Sequence, residues 1–110
     1  MSSNKNEAVL VNAFSPSMIP AKKFVAEFER IGIEELRQYE IVGNYVRHPA
    51  TVELISRVLQ RPLTPNSGIY RFNGETIIVI MLAIPQRGQE VSQLTEEDLA
   101  IYRVRITIEE

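Results

Sequence analysis

Apolar side chains fall in short runs with distinct periods, and each period predicts an element. AVLVNAF (8–14) is β-rich and apolar and predicts a buried strand. It leads into SPSMIP, a loop carrying two prolines. In KKFVAEFERI (22–31), Phe24, Ala26 and Phe28 alternate with polar positions, which suits a strand, although the composition also permits a helix. GIEELRQYE (32–40) holds helix formers and little else, and predicts a short helix. Beyond it, Val52, Ile55 and Leu59 recur at helical spacing, with Leu54 and Val58 widening the stripe. Pro49 suits the first helical position, where a missing N–H costs nothing, so His48 becomes the N-cap. Pro62 and Pro65 stop this helix.

GIYRF and ETIIVIMLAI flank Asn73-Gly74, a strong hairpin signal because both turn residues tolerate positive φ. The second arm is apolar on both faces and predicts a central strand covered on both sides. After the polar loop PQRGQEVSQ, Thr95-Glu96-Glu97-Asp98 opens a short helix: threonine caps it, and the acids suit its positive end. In YRVRITIE, Tyr102, Val104, Ile106 and Ile108 face one way and Arg103, Arg105 and Thr107 the other, which suggests an edge strand or a face meeting a partner. The predicted order is β, β, α, α, β, β, α, β. It corresponds to an α/β (α+β) fold, a single mixed sheet flanked by helices. Residues 1–7 read as a frayed tail and 8–110 as one domain.

Composition narrows the chemistry. There is no cysteine and one histidine, which excludes disulfides, thiolate sites and a multi-histidine metal site within one chain. The longest apolar run, Ile77 to Ile84, is too short to span a bilayer, and MSSNKNE is not a secretory signal. The expected compartment is the cytoplasm, with no membrane partner. A net charge of −2 argues against coating long DNA or RNA, where many phosphates must be neutralised together. A small nucleotide needs only a few donors.

Three short stretches could carry chemistry. Asn12 and Ser15 end the first predicted strand and could bind a ligand, although satisfying local turn groups is the plainer reading. His48 and Thr51 begin the central helix, whose free N–H groups and positive potential suit phosphate; an exposed cap is the commoner case. Arg87 and Glu90 lie in PQRGQE, where arginine can pair with phosphate bidentately and the acid can orient an imidazolium. The alternative there is a solvated charged loop. Arg47, Arg57, Arg61 and Arg71 add positive charge near the middle of the chain.

Taken together and in order, VNAFSPSMI, RHPATVELISRVL and QRGQE resemble the viral ring nucleases, the type III anti-CRISPR family. Asn12, Ala13, Phe14 and Ser15 match its first motif; His48, Ala50 and Thr51 its second; Gln86, Arg87 and Glu90 its third. The resemblance implies a homodimer around five-stranded sheets that binds cyclic tetra-adenylate. It implies cleavage without a metal or cofactor to linear di-adenylate with 2′,3′-cyclic phosphate ends, which switches off type III CRISPR signalling. His48 would be the general acid, Arg87 would hold charge and Glu90 would support His48; Asn12, Ser15, Ser17, Arg47 and Thr51 would line the ligand. The sequence departs from the family at Arg47, where a glycine is usual, at Asn66-Ser67, where an arginine often follows the asparagine, and at Gly88-Gln89. Those departures motivate an alternative, a non-catalytic cyclic-nucleotide sponge or a protein-interaction module of a mobile element.

Overall fold

The computed structural model describes residues 6–46, 48–64, 68–82 and 95–109. Five strands form one mixed sheet: β1 (Glu7–Val11), β2 (Phe24–Ile31), β3 (Glu40–Asn44), β4 (Thr76–Leu82) and β5 (Leu99–Ile108), in the order β2-β5-β4-β1-β3. β1 runs parallel to both β3 and β4, while β5 runs antiparallel to both β4 and β2. The apolar run of β4 sits at the centre of this order, as its two-sided pattern predicts.

Two helices cover one face, α1 (Ile33–Leu36) and α2 (Pro49–Leu59). Leu54, Ile55 and Leu59 of α2 join Ile33 and Leu36 of α1 over Ala8, Leu10, Ile78 and Ile80. That is the apolar stripe read from the helical period, now buried. The opposite face carries Val9, Val11, Ile77, Val79 and Val104, covered by Ile19, Tyr70, Phe14, Met18 and Phe72 from irregular segments. Among the described residues, no helix is long and apolar enough to cross a membrane.

Three expectations need correction. The stretch 32–40 is not one helix. It makes a single turn, and Arg61 then ties down its exit by donating to the carbonyls of Tyr39 at 2.9 Å and Arg37 at 2.8 Å. The chain emerges as β3, where β-branched Ile41 and Val42 pair beside β1. Conversely, GIYRF is not a hairpin arm. Gly74 does turn at φ +97°, but the Phe72 N–H bonds the Met18 carbonyl at 2.8 Å instead of β4. Tyr70 turns inward onto the sheet, and its hydroxyl donates to Glu75 at 2.6 Å. Finally, β5 is an interior strand, and the edges are β2 and β3. The polar face of β5 is explained by cross-strand pairing: Arg103 opposes Glu29 and bonds it at 2.6 Å, and Arg105 opposes Glu27.

The remaining boundaries follow local chemistry. β1 begins at Glu7, opposite Glu40. α2 ends where Gln60 adopts φ 59°, the left-handed conformation that satisfies the last carbonyls. Thr95 caps a 3₁₀ turn, Glu96–Asp98, accepting from the Glu97 N–H at 3.3 Å while Asp98 accepts from the Thr95 N–H at 2.8 Å.

Candidate functional site at the carboxyl ends of the parallel strands

Because β3, β1 and β4 are adjacent and parallel, their carboxyl ends share one edge of the sheet. Asn12 follows β1 there, and the Tyr45–His48 segment follows β3 there. β4 ends there at Leu82, which pairs with Leu99 at the start of β5. Neighbouring strands lie about 4.8 Å apart, so the three exits fall within roughly 10 Å laterally. In open sheets with parallel strands, this is where ligands bind.

His48 occupies the N-cap of α2 with extended backbone, and its carbonyl accepts from the Val52 N–H at 3.0 Å. Its side chain caps nothing. The ring is exposed, and Nδ1 lies 3.4 Å from Oγ1 of Thr51, one turn along the helix. Thr51 is itself buried. Among the described residues, Nε2 makes no hydrogen bond. Ala50 and Thr51 supply the free first-turn N–H groups, because Pro49 has none.

The other predicted residues divide. Asn12 is exposed at the edge, and among the described residues its amide makes no hydrogen bond. Ser15 behaves as turn chemistry: its Oγ caps the 3₁₀ turn Pro16–Met18, accepting from the Ser17 N–H at 3.4 Å and meeting the Ser17 hydroxyl at 2.9 Å. Phe14 packs edge-on against Phe28 of β2 at 5.6 Å, so this loop crosses the sheet away from β3. No hydrogen bond among the described residues joins Ser15 or Ser17 to His48. Arg47, Arg87 and Glu90 lie outside the described residues. No group of His, Asp and Glu suited to a metal ion occurs among the described residues.

Two residues at this edge escape the sequence reading because β3 does. Asn44, buried, accepts the Val46 N–H on Oδ1 at 3.2 Å and shapes the turn toward His48. Tyr45 donates its N–H to Leu10 of β1 at 2.7 Å and lays its ring beside Tyr70, 5.4 Å between centroids. Gly43 makes room for that ring: a Cβ there would stand 3.2 Å from Cε1 of Tyr45. The signal was present as an Ile-Val pair followed by Gly-Asn, just before the lone histidine.

A mixed sheet with helices on one face, and a helix N-terminus at the carboxyl edge of its parallel strands, is thus the frame of this protein. The sequence model of the STIV B116-like family matches residues 8–108, and the chain belongs to that family. Among solved structures it is similar to B116 of Sulfolobus turreted icosahedral virus, with a TM-score of 0.68 and 19% identity over 89% of this chain and 97% of that one. That likeness shows the shared fold. None of the curated proteins compared with the chain matches it.

Proposed function

We propose that the protein is a metal-independent ring nuclease that cleaves cyclic tetra-adenylate. The observation that supports this reading best is the exposed His48 ring at the N-terminus of α2, backed by Thr51, at an edge where three parallel strands end. A phosphodiester seated at that helix end meets free N–H groups and a favourable dipole. The neighbouring ribose 2′-oxygen bonds to phosphorus, and the P–O5′ bond breaks. His48 gives its proton to the departing O5′, and the hydroxyl proton passes to water. Holding the 2′-oxygen in line supplies most of the acceleration. Proton delivery adds about 10² to 10⁴. Arg87 binds the charge that develops on the phosphate, Glu90 holds the imidazolium, and Asn12 and Arg47 contact the ring.

One histidine serves one phosphate, so opposite sides of a four-nucleotide ring call for two chains. A two-fold dimer carries one His48 at each of two opposite phosphates and releases two di-adenylates.

The test is incubation with cyclic tetra-adenylate in EDTA, read by mass spectrometry beside His48→Ala. The expected result is linear di-adenylate ending in a 2′,3′-cyclic phosphate, with turnover abolished and binding largely retained in the variant. Normal cleavage by His48→Ala refutes the mechanism. An intact ring that is nonetheless bound tightly favours the sponge.

A further inference from the structure

The two edges of the sheet differ. β3 has five residues, its pairing with β1 is broken by a register shift, and Pro62, Leu63 and Thr64 line a hollow with it. Features of this kind blunt an edge. β2 has none of them. It runs eight residues in unbroken register with β5, carries no proline, and among the described residues no strand pairs with its outer side. One step beyond the Phe24–Ile108 pair, the Glu109 N–H bonds the Lys23 carbonyl at 3.0 Å. Hydrogen-bonded and non-bonded pairs alternate along an antiparallel ladder. Val25, Glu27, Glu29 and Ile31 therefore bond β5, and Phe24, Ala26, Phe28 and Arg30 aim their N–H and C=O groups outward.

We propose that this edge takes an added strand from a partner protein, an extended segment in which basic and apolar residues alternate. On the face that carries the helices, Arg103 opposes Glu29 and Arg105 opposes Glu27. Glu29 is held by Arg103 at 2.6 Å, whereas Glu27 is exposed and makes no ion pair among the described residues. A hollow of about 380 Å³, lined by Glu27, Glu29, Arg103 and Arg105, leaves room there for a long side chain. A basic side chain on the next strand lies one strand spacing, about 4.8 Å, from the acids and about twice that from the arginines. At the longer distance physiological salt screens the repulsion. On the other face Phe28 is 51% exposed, edge-on to Phe14, and offers an apolar contact. β5 already shows the pattern that fits, because Tyr102-Arg103-Val104-Arg105 meets the inner side of the same rows. A second β2 fits badly. Pairing about its middle sets Glu27 opposite Glu27 or Glu29 of the copy, and like charges directly opposed destabilise a ladder. Main-chain bonds supply the affinity of an added strand, and its alternating side chains supply the selectivity.

The experiment is amide hydrogen exchange, read by NMR on the ¹⁵N-labelled protein. The probes are an end-blocked peptide copying Ala100–Ile108 and the same peptide with glutamate at both arginines. The amides of Phe24, Ala26, Phe28 and Arg30 are expected to exchange fast in the free protein. They should slow by about tenfold or more with saturating basic peptide and stay fast with the acidic one. Val25, Glu27 and Glu29 should be slow throughout, because β5 holds them. Glu27→Gln should weaken the basic peptide about two- to fivefold, the range of one cross-strand charge pair. Ala26→Pro, which removes an outward N–H and no bond to β5, should abolish protection by the peptide. Equal protection by both peptides, or none by either, overturns the proposal. So does protection that rises with protein concentration before any peptide is added, which assigns the edge to a second copy. Ring cleavage bears on none of these outcomes.

Discussion

Replacing Tyr70 by phenylalanine tests the clasp that holds its ring against the sheet. The ring is 4% exposed and keeps its contact with Tyr45, so the change opens no cavity. It removes one O–H that donates to Glu75 at 2.6 Å. Hydrogen bonds to charged groups contribute about 1.5–3 kcal/mol. Glu75 is partly exposed and keeps a second donor, the Asn73 N–H at 3.1 Å, so the loss should fall at the low end, about 1.5 kcal/mol. For a domain of this size that is a fall in Tm of about 6 °C. With a urea m-value of about 1.5 kcal/mol/M, the midpoint should drop by about 1 M. The clasp also has a pH signature. Burial first, and then the hydrogen bond to Glu75, hold the phenol well above its ordinary value of 10.0. Above 10.0 the unfolded chain gives up this proton while the folded chain keeps it, so the folded state loses stability as pH rises. Tyr70→Phe should therefore unfold with a shallower alkaline limb. A Tm change under about 1 °C refutes the reasoning. So does an undiminished cost of Tyr70→Phe in a Glu75→Ala background, because a pairwise bond cannot survive loss of its partner.

Two further outcomes follow from the helix side. Arg61→Ala should lower stability by about 1–3 kcal/mol in thermal unfolding, because two charge-assisted bonds to the carbonyls of Arg37 and Tyr39 disappear; Arg61→Lys should recover only part, since an ammonium lacks the fork. Arg103, by hydrogen bond and then by charge, holds the Glu29 carboxyl below its ordinary 4.5; this contribution is present above 4.5 and is lost as pH falls through the lower folded value. Glu29→Gln should therefore show a weaker pH dependence of unfolding on the acid side, and an acid limb that superimposes on that of the parent would count against the pair.

The sequence prepares some of this architecture well and some of it badly. α2 was legible end to end, because helical spacing, a proline at the first position and a lone cap residue agree. β4 was legible because only a central strand is apolar on both sides. β3 was not. Ile41 and Val42 are outnumbered by the helix formers before them, and Arg61, some twenty residues away, closes the helix. GIYRF erred the other way, since local β-propensity lost to Tyr70, which buries its ring and carries its hydroxyl to Glu75. Five strands were expected and five exist, but one of the five differs. The arginines of β5 suggested solvent or a partner, whereas a cross-strand acid accounts for Arg103.

The substitution of β3 for the expected hairpin arm matters most at the site. Asn12 and His48 are far apart in sequence, and both precede or follow strands whose direction alternation cannot reveal. In an antiparallel meander, successive exits point to opposite ends of the sheet, and the two residues need not meet. Here β1 lies between β3 and β4 and runs parallel to each. That single feature brings the exit after Val11, the exit after Asn44 and the end of β4 to one edge. It also fixes Tyr45 against β1, one residue short of Asn12's strand end, through the bond to Leu10. The short motifs in the sequence specify chemical groups, and the parallel core determines which of those groups can act on one ligand.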